Sequence, residues 1–408
     1  MEGKKERLSN FELMRLVSMF LIVLWHTTLH STLYQNAYGF LKFLLDIIMC
    51  FCLVHVNSLV LVTGYFQCNK KTGNGDKVLK VMGTAWFYKV LFLVLFYIFG
   101  TETISKVKIF QELMPIDFNN YWFICNYIVL FLMSPYLNRI VNYCSQKELK
   151  RFVLILFATL SIIPAITAQA TIQNNGLGVI HFIFIYFIGA YLRKYPIRTS
   201  YHFKNIADTK YRNLLIIAFL SLGIGNIILY NFGDVIRRFN VPIVTYFGSL
   251  LQSQFLGYSS PISVLMSVIY FLFFETLSLK SKWINHFAAT TFGIYLIHDN
   301  AFVRRFIYKF LNVNDTVISV SPIKGIIALI GYAVIIYFGC MIIEETRIIL
   351  SNIRKGVWKA PKKKQTAPAF IYEEEEKKKD TPIKEMLPKK EKKKDKKENE
   401  NPDSFIDF

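Results

Sequence analysis

The signatures of soluble catalysis are missing from this chain. No HExxH pair is present to hold zinc, no GxSxG elbow to present a serine, and no GxxxxGK loop to cradle phosphates. Cysteine is sparse. Cys50, Cys52, Cys68, Cys125, Cys144 and Cys340 form no CxxC pair, so neither a disulfide framework nor a metal knuckle is expected, and no metal site is assigned. No internal repeat is visible, and no paired interrupted helices of the kind that mark inverted-repeat transporters. Charge is scarce as well, at 19% of residues against 53% hydrophobic, with mean hydropathy +0.34. Charge and apolarity must therefore be segregated along the sequence.

The apolar part falls into about ten runs: 12–33, 40–66, 80–99, 121–139, 150–168, 178–193, 213–231, 260–278, 286–308 and 323–346. A bilayer core of about 30 Å needs about 20 such residues in a helix. The fold class expected is all-α, a polytopic membrane bundle of about ten transmembrane helices. The second run is long enough to be tilted or broken, and 241–257 is too mixed to count as a span. The first run follows Lys4, Lys5 and Arg7 like a signal peptide, but no small-residue cleavage site follows it, so a retained helix is expected. Residues 8–350 form one membrane domain. From about 359 the composition turns to alternating acidic and basic blocks with prolines, and 351–408 is expected to be a disordered cytoplasmic tail.

With the N-terminus inside, the inner loops carry most of the loop Lys and Arg, for example Lys70, Lys77, Lys80, Arg139, Lys147, Arg193, Lys194, Arg198 and Lys204. Both termini are then cytoplasmic and the membrane is the plasma membrane. The formal charge of +20 is a matter of topology beside anionic membrane lipids, where each basic residue contributes about 1 kcal/mol; nucleic acid is not an expected partner.

Ionisable groups inside such helices are costly and mark sites. Arg15 and His26 stand eleven residues apart in RLVSMFLIVLWH. Eleven steps of about 100° come within about 20° of three turns, so both share one face about 16 Å apart along the axis. For Arg15, the alternative is an interfacial arginine snorkelling to headgroups, paired with Glu12. For His26, it is a helix contact; the polar residues after it (Thr27, Thr28, His30, Ser31) suggest a wet mouth where a histidine acts as general base. His298 lies about 18 Å up a helix starting near 286, at similar depth. Asp299 follows it, but adjacent helical residues diverge by about 100°, so no His–Asp dyad is implied. Trp122, Asn126 and Tyr127 open a helix at the outer face, where an aromatic belt and a sugar-stacking site are both open readings. Lys89 sits mid-helix and is expected to face a cavity. His55, Asn57, His181 and Glu275 are read as interhelical hydrogen-bonding groups.

NFELMRLVSMFLIVLWH resembles the opening signature of the membrane-bound acyltransferase 3 family, with Arg, ten residues, then His. HVNSLVLVTGYF at 55–66 resembles its second-helix ending, with Thr63 where Ser is usual. YWFICNYIVLFLMSPYLN at 121–138, HFIFIYFIGAYL at 181–192 and TFGIYLIHDN at 291–300 agree in order, over about 8–345. The wording is closest to Gram-positive members that O-acetylate surface polysaccharides. The resemblance implies an O-acetyltransferase moving acetyl from cytosolic acetyl-CoA to a hydroxyl on an extracytoplasmic polysaccharide or lipid-linked sugar, with no bound cofactor. It implies His26 as base or transient acyl acceptor, Arg15 on the CoA or oxyanion side, and His298 in support. Trp122, Asn126 and Tyr127 would bind the sugar. The family's third helix often carries arginines where this chain has only Lys89, which weakens a CoA contact there. The alternative from another class is a transporter or flippase whose polar groups line a conduction path; it would not consume acetyl-CoA.

Overall fold

The computed structural model describes residues 8–70, 75–100, 104–114, 121–167, 174–201, 203–239, 241–253 and 257–354. Lys4, Lys5 and Arg7 lie outside them, as does the expected tail 351–408 from 355 onward; residues 351–354 instead continue the last helix. The described regular elements are all helical. The longer helices are α1 (Ser9–His30), α2 (Gly39–Cys52), α3 (Val54–Gln67), α4 (Gly75–Ile98), α5 (Lys106–Leu113), α6 (Trp122–Tyr143) and α7 (Gln146–Thr167). After them come α8 (Val179–Lys194), α9 (Asp208–Arg237), α10 (Pro242–Ser253), α11 (Pro261–Glu275), α12 (Thr291–His298), α13 (Ala301–Leu311) and α14 (Pro322–Arg354).

Each expected apolar run is helical, and seven segments are long and apolar enough to cross a membrane: α1, α2–α3 together, α4, α6, α7, α9 and α14. The other three differ from simple spans. α8 has 16 residues and α11 has 15. The run 286–308 is not one helix: α12 stops at His298, and Asn300 opens α13 by accepting the backbone N–H groups of Phe302 and Val303 at its side chain. The long second run breaks at Leu53. The mixed stretch after 241 forms the 12-residue α10. At the start of α7, Ser145 and Glu148 form a capping box that satisfies otherwise orphaned N–H groups.

Small residues set the closest helix contact. A Cβ on Gly64 of α3 would lie 2.2 Å from the Tyr186 carbonyl oxygen, and one on Gly189 of α8 would lie 2.3 Å from that of Leu61. Only glycine lets these two backbones touch, the usual device where lipid removes the hydrophobic drive between helices. Polar groups tie the same pair to its surroundings. His181 and Asn57 meet at 2.9 Å, Asn57 donates to the Tyr258 carbonyl at 2.9 Å, and the Tyr186 hydroxyl donates to Asn138 at 2.5 Å. The expected interhelical roles of Asn57 and His181 are met. Glu275 likewise accepts from the Tyr65 hydroxyl at 3.0 Å.

Candidate active site

α1 contains neither proline nor glycine and runs unbroken from Ser9 to His30, so the separation of Arg15 and His26 is fixed by helical rise at about 16 Å. Both side chains line one cavity of about 400 Å³. At its Arg15 end the residue is 6% exposed, and its guanidinium donates to Glu12 at 2.8 Å and to the Thr291 hydroxyl at 3.2 Å. It does not snorkel: the Glu12 pairing expected from sequence is formed inside the bundle. Glu12 offsets part of its charge, so Arg15 works as an oriented donor more than as a free cation. The middle of the cavity is apolar, walled by Met19, Ile22, Leu59, Val62 and Phe292.

At the other end, Nδ1 of His26 lies 2.9 Å from Nε2 of His298, whose own Nδ1 lies 2.6 Å from the Ile294 carbonyl oxygen. A carbonyl can only accept, so Nδ1 of His298 carries the proton and its Nε2 accepts. The proton between the rings therefore belongs to Nδ1 of His26. That leaves Nε2 of His26 with the free lone pair, the tautomer a general base requires.

Asp299, which from its place beside His298 could lie near the charge of either histidine, does lie beside His26. Its Oδ1 lies 3.7 Å from Nδ1 of His26, 3.5 Å from Nε2 of His30 and 3.1 Å from Nη1 of Arg304. Asp299 caps α12 in a helical conformation, its N–H bonded to the Tyr295 carbonyl at 3.2 Å, so the 100° divergence from His298 carries over to it, and the two side chains reach Nδ1 of His26 separately. The ligand atoms of His26, His30 and Asp299 lie within 4.8 Å of one another, a spacing a metal ion could bridge. Two features oppose it: Nδ1 of His26 is committed to His298, and Arg304 already supplies a cation, 3.1 Å from Asp299 and 3.4 Å from His30.

The remaining sequence candidates divide. Trp122 and Tyr127 line the cavity, and Trp122 stacks on Tyr258 with ring centroids 6.1 Å apart. Asn126 does not line it. Its amide donates to the carbonyls of Trp122 at 2.9 Å and Leu177 at 2.8 Å, which takes it out of the substrate-binding set. Lys89 is also corrected. It is buried away from the cavity lining, and its ammonium donates to the carbonyls of Gln111 at 2.9 Å and Met114 at 2.8 Å, anchoring the α5 segment rather than a cofactor. His55 departs from expectation as well: it lines the cavity, and neither ring nitrogen has a hydrogen-bond partner among the described residues. His30, named from sequence in the polar run of a wet mouth, lines the cavity, whereas sequence reasoning missed Arg304, Thr291, Tyr258 and Tyr295. The one available signal was Asn300, a preferred N-cap residue standing before AFVRRF, which marks the start of the helix that carries Arg304.

In comparison with known proteins, residues 8–345 match the model of a family described as an acyltransferase domain. No curated protein and no solved structure matches.

Proposed function

The chain belongs to the acyltransferase 3 family and is a membrane acyltransferase; from that premise we propose that it moves an acetyl group from cytosolic acetyl-CoA to a hydroxyl of an extracytoplasmic sugar. The acceptor is a surface polysaccharide or a lipid-linked sugar. The observation that carries this reading is that Arg15 and His26 line the same cavity. In the proposed orientation the N-terminus is cytoplasmic and the membrane is the plasma membrane, which puts Arg15 at the donor's side and His26 at the acceptor's.

Arg15, oriented by Glu12 and Thr291, binds the CoA phosphates. The apolar middle of the cavity takes the pantetheine arm, whose extended length is comparable to the rise between Arg15 and His26. The thioester carbonyl then lies beside His26. Nε2 of His26 removes the proton from the sugar hydroxyl, whose oxygen attacks the carbonyl carbon. His298 holds the ring in the required tautomer, and Asp299 stabilises the imidazolium that forms. The carbon–sulfur bond breaks and the CoA thiolate takes the proton from His26, leaving the acetyl ester and free thiol. Arg15 is too distant to serve the oxyanion, so of the two roles weighed for it only the CoA side is retained. Trp122, with Tyr127 and Tyr258, offers aromatic faces for the sugar.

The test is thiol release from acetyl-CoA by the purified protein in vesicles, together with the mass of the acceptor glycan. The wild-type chain should release thiol and add one acetyl group per modified sugar. His26→Ala should reach the membrane and do neither. Wild-type acetylation by that variant would remove His26 from the chemistry, and transport of a sugar without thiol release would replace the whole reading.

A further inference from the structure

Attack on a thioester places negative charge on the former carbonyl oxygen, and a preorganised donor at that oxygen is commonly the largest catalytic contribution. The charged groups of the site do not fill the role. Arg15 is about 16 Å from His26 along a rigid helix. Arg304 is engaged with Asp299. Two other side chains line the cavity with buried polar atoms that have no hydrogen-bond partner among the described residues: Tyr295, through its hydroxyl, and His55, through both ring nitrogens.

Their surroundings separate them. His55 is set in the aromatic wall, its ring centroid 5.7 Å from Trp25 and 5.5 Å from Tyr258, which suits it to an acceptor's hydroxyl groups. Tyr295 stands three residues before His298 on α12, hence on the same helix face. Its ring centroid is 6.2 Å from that of His298, which in turn is 5.1 Å from that of His26. The ring is fixed by Tyr121 at 5.8 Å and Phe123 at 6.0 Å. A rigid ring, held against His298 at the base's side of the cavity and carrying an unsatisfied donor, is a group whose partner arrives with the substrate.

We propose that the Tyr295 hydroxyl is the oxyanion donor of the acyl transfer, an assignment that rests on the reading given above. As His26 takes the acceptor's proton and the new carbon–oxygen bond forms, the carbonyl π pair moves onto oxygen and Tyr295 donates its O–H to it. Collapse returns that pair to the carbonyl and expels the CoA thiolate, which is protonated by His26. Tyr295 keeps its proton throughout.

Tyr295→Phe removes only the hydroxyl and keeps the ring contacts. Because the hydroxyl bonds to no described residue, thermal stability should be unchanged. The kcat for thiol release from acetyl-CoA should fall about 10²–10³-fold, the loss typical of one oxyanion donor, with KM for acetyl-CoA within about 2-fold of wild type. A Tyr295→Phe enzyme within about 3-fold of wild-type kcat, beside an active wild type, overturns the assignment. So does a variant that no longer folds, since the hydroxyl would then have a structural partner. His55→Phe is the companion: if it loses kcat and Tyr295→Phe does not, the donor is His55 and the proposal fails. A wild-type protein that releases no thiol overturns the acyl-transfer reading itself, and the role of Tyr295 with it.

Discussion

Asparagine at position 299 keeps the shape of the aspartate side chain and removes its charge, so Asp299→Asn isolates electrostatics from packing. His26 is neutral in the resting site and becomes a cation only when Nε2 takes the acceptor's proton. The carboxylate oxygen 3.7 Å from Nδ1 then attracts it. At an effective dielectric constant of about 20, two unit charges at that distance interact by about 4–5 kcal/mol. Arg304, 3.1 Å from the same oxygen, opposes this with its own positive charge and is partly exposed, so about half should remain, roughly 2–3 kcal/mol. At 1.36 kcal/mol for each factor of ten, kcat should fall about 10²-fold. KM for acetyl-CoA should hardly change, because the charge on His26 exists only in the transition state. The assay is steady-state thiol release at saturating donor, with a thermal melt to show that the variant is folded. A kcat within about 3-fold of wild type would refute the reasoning, because a full unit charge cannot leave a site 3.7 Å away without effect unless the imidazolium never forms. The companion change Arg304→Gln removes the opposing cation and should leave kcat equal or higher.

The other expectations follow from single contacts. His298→Phe leaves Nδ1–H of His26 without its acceptor and the tautomer unlocked; kcat should fall about 10²–10³-fold, and His298→Gln, whose amide oxygen can accept, should recover part of it. Thr291→Val removes the 3.2 Å bond to Arg15, a charged hydrogen bond of about 1.5–3 kcal/mol, so KM for acetyl-CoA should rise about 10–100-fold with kcat preserved. Lys89→Met should leave KM for acetyl-CoA unchanged but lower the melting temperature, since the Gln111 and Met114 carbonyls lose a charged donor worth about 1.5–3 kcal/mol. A raised KM in that variant would reinstate Lys89 as a donor contact.

What could be read from sequence was whatever depends on one helix. The shared face of Arg15 and His26 and the Glu12–Arg15 pair follow from periodicity alone, and the cavity they line bears that out. The fate of a buried donor depends instead on which carbonyl a distant segment brings to it. Lys89 is satisfied by carbonyls 22 and 25 residues away, and Asn126 by one 51 residues away. Neither partner leaves a trace in the local pattern, and a buried lysine or asparagine looks the same whether it faces a ligand or a backbone oxygen. The nearness of Asp299 to the histidines was legible, but the Arg304 that α13 brings to the same oxygen was not. Hydropathy carried one helix through 286–308, and the cap at Asn300, worth about 1 kcal/mol, outweighed that continuity. The site is built at the break.

The unbroken course of α1 has a consequence for which donors are accepted. On the proposed reading, a cavity that anchors one end of a molecule at Arg15 and works on the other at His26, with no hinge between them, acts as a gauge. It selects by reach, from phosphate to carbonyl, and it is indifferent to what lies along the greasy middle. A truncated thioester lacking the phosphates would find the base but lose its anchorage. A longer acyl chain would have to fold back or project past His26 into the space meant for the sugar. Length, set by eleven residues of helix, is then as much a part of the enzyme's chemistry as its histidines.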